Sequence, residues 1–256
     1  MSLIKTRAFI LRIKPFSETS SILYLFTQDL GLIHGLAKGI KRKKSDVMAL
    51  ERGFYIESII YSKPSRDLHT LTNISIIDFF PQIRTNLYKS SIRDICFEVI
   101  LSCMVTDSPN HDVFAYIENF LTKLKTISQE ECFPFMIWKF FFDFSYLMGF
   151  GISLNNCAQC KTNLSQVNGC HLYISEGLIY CSKCSFAKSN NKRSYFLSKE
   201  IISFLLNNSN MIPSKNIISL SSIEKKKLNN IFYEYYKYHF QKDIDLKSLI
   251  FANSLL

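Results

Sequence analysis

Cys157-Ala-Gln-Cys160 and Cys181-Ser-Lys-Cys184 repeat one spacing twice, with 20 residues between the pairs. Two residues between thiolates let both sulfurs turn inward on a tight knuckle. Two such knuckles supply four soft ligands in a tetrahedral array, which suits zinc. Four thiolates leave no coordination position open for water, so the expected ion is one structural zinc per chain. Lys161 and Ser185 stand where haem attachment would need histidine, and no βαβ pattern surrounds either pair as a redox motif would require. The alternative is two unrelated, reduced and buried pairs. Cys170 and His171 lie between the knuckles and are reserve ligands. Cys96, Cys103 and Cys132 fall in helical or near-helical contexts and read as core residues or spectators.

A second group is basic. Lys38, Lys41, Arg42, Lys43 and Lys44 place five positive charges within seven residues. By itself such a run is a solvated face or a phosphate contact. It joins two expected strands of a small barrel, and such barrels bind single strands through loops and one sheet face. Binding of that kind needs phosphate neutralisation and stacking surfaces. The candidate nucleic-acid contacts are these five residues together with Arg7 and Arg12 of the first strand. Phe9, Tyr24, Phe26, His34 and Tyr55 are candidates for stacking, although a barrel interior needs most of that bulk for itself.

The charge distribution agrees. The 256 residues carry a net charge of +10. Residues 1–80 hold +5, residues 81–156 hold −2, residues 157–187 hold +1 and residues 188–256 hold +6. The surplus therefore sits at the two ends and favours a polyanion, either nucleic acid or an anionic membrane surface.

Catalytic constellations are missing from the sequence. It has no Walker lysine loop, no Gly-x-Ser-x-Gly elbow and no dense carboxylate cluster for two-metal chemistry. His34, His69, His111, His171 and His239 are isolated in sequence. The expectation is a binding protein that is not an enzyme. Two alternatives are a zinc-ribbon RNA-binding protein acting in RNA metabolism or translation, and a metal-dependent nuclease.

The elements that would position these residues follow from periodicity. Short alternating or apolar runs predict strands at Thr6–Ile13, Ser20–Thr27, Leu32–Lys38, Phe54–Tyr61 and Leu68–Ile77. A short helix is expected at Val47–Glu51. Leu87, Ser91, Ile95, Val99 and Cys103 form one helical stripe. Further helices are expected at Asp112–Thr126, Phe135–Met148 and Ser198–Leu206. Ser221 and Glu224 have capping-box spacing and open a helix towards Gln241. Residues 243–256 are mixed. Leu172-Tyr173-Ile174 and Leu178-Ile179-Tyr180 flank a turn at Ser175-Glu176-Gly177 that delivers the second knuckle beside the first. The apolar stretch Phe133–Gly149 contains Lys139 and Asp143, is too short to span a bilayer and reads as a buried aromatic helix. The N-terminus lacks the features of a secretory signal, and eight cysteines without export point to a reducing cytoplasm.

Several motifs together resemble the RecO family, the bacterial recombination mediators. They are Arg7-Ala8-Phe9-Ile10-Leu11, Phe16-Ser17-Glu18-Thr19-Ser20, Leu25-Phe26-Thr27, Gly31-Leu32, Ala37-Lys38-Gly39-Ile40-Lys41-Arg42, Leu68-His69-Thr70-Leu71, the cysteine module with Glu176-Gly177-Leu178-Ile179-Tyr180-Cys181, and Leu246-Lys247-Ser248. The resemblance implies an α+β chain. An N-terminal OB-fold β-barrel (1–80) would precede an α-helical domain (81–256) with an embedded four-cysteine zinc ribbon (155–187). It implies binding of single- and double-stranded DNA, annealing of complementary strands and cooperation with RecR. It further implies help for RecA in replacing single-strand-binding protein, whose acidic tail would be a partner. The expected location is cytoplasmic and nucleoid-associated, with no membrane partner. Glu176 departs from the family pattern, which often has a second glycine there, and the C-terminal third matches weakly.

Overall fold

The structure is a computed structural model that describes residues 2–39, 50–62, 67–128, 133–187, 194–206, 220–241 and 243–256. Lys41 to Lys44, Cys132 and most of the expected Val47–Glu51 helix lie outside the described residues. The chain divides into two compact units, Met1–Thr126 and Ile127–Leu256.

In the first unit five strands close a barrel in the order β1-β2-β3-β5-β4. They are β1 (Ser2–Pro15), β2 (Ser21–Thr27), β3 (Gly31–Ala37), β4 (Tyr55–Ser62) and β5 (Leu68–Asp78). All pairings are antiparallel except β3 with β5. Strand β1 is long enough to serve two neighbours: Ser2–Phe9 pair with β4 and Ala8–Pro15 pair with β2. The interior is filled by Ala8, Ile10, Leu23, Leu25, Ile33, Ala37, Ile56, Ile60 and Leu71, as alternation requires.

Two irregularities redirect side chains. The β1–β2 register shifts between Ile10 and Arg12, so residues on the two sides of Leu11 follow different alternations. The β4–β5 register shifts between Glu57 and Ile59, opposite Asn73. Asn73 takes a left-handed φ of 49°, which asparagine tolerates better than most side chains. The extra residue lets Leu71 and Ile74 both pack on the interior.

Helices α1 (Pro81–Arg84), α2 (Leu87–Cys103) and α3 (His111–Thr126) belong to the same compact unit. The barrel itself ends at Asp78, beside the sequence boundary at residue 80. An aromatic seam joins barrel and helices: the Phe9 ring stacks on Tyr55 at 4.5 Å and meets Phe114 at 5.4 Å, and Phe26 meets Phe114 at 5.7 Å. Gly31 closes the β2–β3 turn at φ +71°, and a Cβ there would lie 2.1 Å from the Ser108 carbonyl oxygen. Only glycine permits both the conformation and the approach.

The second unit is built on α4 (Phe133–Leu147), a helix buried on nearly every side. Lys139 is buried beside Asp143, one turn on, which keeps its charge paired. The other long helix, α7 (Ser222–Phe240), follows α5 (Ser182–Phe186) and α6 (Lys199–Leu206) in chain order; α8 (Lys247–Ser254) follows it. The capping box at Ser221 and Glu224 forms as expected. Phe232 stacks on Phe141, and the Tyr236 hydroxyl donates to the Phe141 carbonyl. The buried Trp138 Nε1–H donates to Asn229 Oδ1, and Asn229 Nδ2 donates to Asn253 Oδ1, both at 2.7 Å. Thus α4, α7 and α8 share one satisfied polar chain. Tyr235 and Tyr236 form part of the core, while Lys226 and Lys227 are exposed.

A three-stranded sheet ordered β7-β6-β8 completes this unit, from β6 (Gly169–Tyr173), β7 (Leu178–Cys181) and β8 (Ser194–Ser198). No helix among the described residues is long and apolar enough to cross a membrane. The fold is therefore α+β, with a five-stranded N-terminal barrel and a helical remainder that carries the cysteine module.

Candidate metal centre and nucleic-acid face

The first knuckle is held by its own backbone. Cys157 N–H donates to the Thr162 carbonyl, and Lys161 N–H returns to the Cys157 carbonyl at 3.0 Å. Lys161 takes a left-handed φ of 61° to close this turn. Ala158 N–H then donates to Ile179 O on β7 at 2.8 Å, which pins the first knuckle beside the second. Cys181 ends β7 and is the N-cap of α5, and Cys184 follows three residues on, so their side chains share one side.

These constraints bring the sulfurs of Cys157, Cys160, Cys181 and Cys184 within 4.8 Å of one another. Cys160 Sγ and Cys181 Sγ are 3.8 Å apart. A tetrahedral site with metal–sulfur bonds of ~2.3 Å has sulfurs roughly 3.8 Å apart, so the cluster could hold a metal ion. The surroundings favour thiolates at the first knuckle. Hydrogen bonds from Thr162 bring the Cys160 thiol down to about 6. Burial works against ionisation of Cys157, yet the backbone N–H groups of Cys181, Cys160 and Gln159 outweigh it and its pKa falls. The Cys181 N–H lies 3.3 Å from Cys157 Sγ.

The reserve ligands lie outside this cluster. Cys170 is fully buried and register-paired with Cys181. Burial, then the charges of Cys157 and Cys181, push its thiol up to about 12, so it stays protonated. His171 packs edge-on against Phe196, and burial lowers its pKa. Cys96 and Cys103 are buried in α2. The hairpin turn closes with Gly177 at φ 62°, while the Glu176 carboxylate accepts the Tyr180 hydroxyl at 2.8 Å. Glu176 therefore has a local role in bracing the hairpin.

The barrel sorts the five candidate stacking residues into two groups. Phe9, Phe26 and Tyr55 are buried in the seam against the helices. Tyr24 and His34 point outward on β2 and β3 and are half-buried. They are register partners, with ring centroids 4.4 Å apart. Arg12 is the partner of Tyr24 on β1, with its Cζ 5.6 Å from the tyrosine ring, and Lys14 Nζ lies 5.1 Å from the same ring. A row Arg12–Tyr24–His34 thus crosses three strands, with Lys14 beside it. Both cations are exposed, as are Lys38 at the end of β3 and Phe16 in the β1–β2 loop.

Arg7 is placed elsewhere. Its guanidinium donates to Gln28 Oε1 and Glu118 Oε1, and the Tyr55 hydroxyl donates to the same Glu118 oxygen. It braces β1 on α3. Lys14 and Phe16 were not among the sequence candidates. The two-residue spacing of Arg12 and Lys14 was the available signal, since alternate strand residues share a face.

The first 80 residues match the family model described as "Recombination protein O N terminal". Residues 84–250 match "Recombination protein O C terminal". The chain belongs to the RecO family. Two curated relatives match along nearly the whole chain and a third along about half of it. "DNA repair protein RecO" of Caldicellulosiruptor saccharolyticus is 26% identical over 254 residues, covering 96% of this chain and 97% of that protein. The protein of the same name from Caldanaerobacter subterraneus is 25% identical over 261 residues, covering 100% and 99%. In Salinibacter ruber the identity is 34% over 124 residues, 48% of each chain. The RecO family assignment makes this a DNA repair protein. It also accounts for the barrel and the cysteine module within a single chain.

Proposed function

We propose that the protein is a non-enzymatic mediator of recombinational repair. It binds single- and double-stranded DNA, anneals complementary strands and, with RecR, helps RecA replace single-strand-binding protein, whose acidic tail it engages. The carrying observation is the outward row Arg12–Tyr24–His34 with Lys14 and Lys38 on one face of a small barrel. Exposed cations neutralise phosphates without regard to sequence, and a half-exposed ring offers a base a stacking surface. Annealing needs this sequence-tolerant grip, because bases must stay free to find their complements.

Zinc is the metal that the four cysteines favour. Cys157, Cys160, Cys181 and Cys184 would hold it as a closed all-sulfur site, so it supplies rigidity and no reactive water. The expected place of work is the cytoplasm, with the nucleoid DNA. The test is a binding and annealing assay on the full chain with Arg12 and Lys14 both changed to Glu. Loss of single-strand binding and annealing at matched salt supports the reading, and unchanged activity contradicts it. Equal-length RNA as competitor tests the substrate: displacement of DNA by RNA at equal concentration would favour the RNA-binding alternative. Cleavage of labelled single strands with magnesium would contradict the non-enzymatic reading.

A further inference from the structure

The cysteine module and its sheet turn two aromatic rings to solvent. Phe186, which ends α5, is 89% exposed, and Phe196 on the edge strand β8 is 49% exposed. A cleft of about 520 Å³ opens beside the sulfur cluster. Cys160, Cys181 and Cys184 line the part that belongs to the metal site. Gln166, Asn168, Gly169, Ser182 and Lys183 line much of the rest, and no carboxylate among the described residues joins them.

Gly169 brings Phe196 to this cleft. A Cβ on Gly169 would lie 2.4 Å from Phe196 Cζ, so the ring lies across the bare backbone of a lining residue. His171, the register partner of Phe196 on β6, meets the ring edge-on at 5.5 Å. Helix α5 brings Phe186. The Ser182 hydroxyl donates to the Gly169 carbonyl at 3.4 Å, which ties the start of α5 to β6. Phe186 follows Ser182 by four residues and Lys183 by three, and residues at that spacing are neighbours on a helix surface.

This set matches one nucleotide. The exposed rings offer stacking surfaces to a base, and Lys183 offers a charge to a phosphate. The exposed amides of Gln166 and Asn168 present both donors and acceptors to a base edge. The cleft also has the size of a small-ligand site. An acidic peptide calls for several cations, whereas among the described residues Lys183 is the one cation that lines it. We propose that this cleft is a second single-strand contact, separate from the barrel row, which holds one nucleotide of a DNA strand. The row and the cleft belong to different compact units. Annealing handles two strands, and two contacts give each strand its own grip. The proposal rests on the annealing role proposed above and names where the other strand is held.

Phe186→Trp in the full-length protein reports on the cleft directly, because the chain's single tryptophan, Trp138, is fully buried. The probe is an oligothymidine of about six nucleotides. Its addition should quench the introduced indole as a base stacks on it. Phe196→Ala in the same protein should raise the oligonucleotide concentration needed by roughly five- to a hundredfold, the loss of one stacked base. Phe196 also packs on His171, so Lys183→Glu, at an exposed position, decides the case if Phe196→Ala disturbs β8. It should shift the quenching several-fold in the same direction. Absence of quenching, or quenching that Lys183→Glu does not move, overturns the proposal. So does an acidic peptide that displaces the oligothymidine at equal concentration, which would make the cleft a peptide site. The Arg12→Glu, Lys14→Glu background separates the cleft from the barrel row. There, total strand binding by anisotropy should fall while the indole is still quenched. If quenching vanishes with the row, the cleft is no contact of its own and the proposal fails. If total binding is unchanged and quenching persists, the DNA-binding role of the row fails and the cleft stands.

Discussion

Tyr24 and Phe26 show how much one neighbour decides. Both lie on the outward side of β2, two residues apart. Phe114 of α3 covers Phe26, while the Tyr24 ring meets His34 and the two cations. Tyr24→Ala should weaken single-strand binding by about 1–3 kcal/mol for each base it stacks, and Tyr24→Phe should retain most of it. Fluorescence anisotropy at fixed salt reads both. His239 supports a different prediction. Its ring stacks on Phe150 at 5.1 Å, and Nε2 is buried with no hydrogen-bond partner among the described residues. Burial lowers its pKa below the ordinary 6.5. A histidine with a depressed folded-state pKa contributes stability above the unfolded-state value and loses it as pH falls. Denaturant midpoints should therefore drop as pH falls below 6.5, and His239→Phe should flatten that drop.

At the scale of elements, the cysteine module joins parts that are distant in sequence. Its first knuckle is tied to β7 by one backbone bond, and its second begins α5. Cys181→Ser, or prolonged chelation, should release the metal and loosen the β6–β7 hairpin. Elemental analysis should give one zinc per chain before treatment and none after, with hydrogen exchange rising across residues 157–184. Ser221→Ala removes the capping box of α7 and should cost about 1 kcal/mol of stability. These features were legible in the sequence because they are local: the knuckle spacing, the capping spacing and the strand alternation each lie within a few residues. Strand β8 was not legible, because Ser194–Ser198 is short and acquires its partner from β6, more than twenty residues earlier. The outward face was only half legible. Arg12 could be named from charge. The registers that place it beside Tyr24 and His34, and the burial of Phe9, Phe26 and Tyr55 under helices, are tertiary facts. Arg7 makes the same point: its sequence context is as basic as that of Arg12, yet it bonds Glu118 on α3.

Over the whole molecule, charge and architecture agree. The barrel end of the chain carries +5 and the C-terminal end +6, with a slightly acidic stretch between. Binding through such charges releases counterions, so affinity for single strands should fall steeply between about 50 and 200 mM salt. The most direct test of the central claim is the rate at which complementary strands anneal, free and coated with single-strand-binding protein. The Arg12→Glu, Lys14→Glu variant is compared with the unmodified protein at equal metal content and stability. The account predicts that the unmodified protein accelerates annealing on both substrates and that the variant does not. A variant that anneals at the unmodified rate would contradict it.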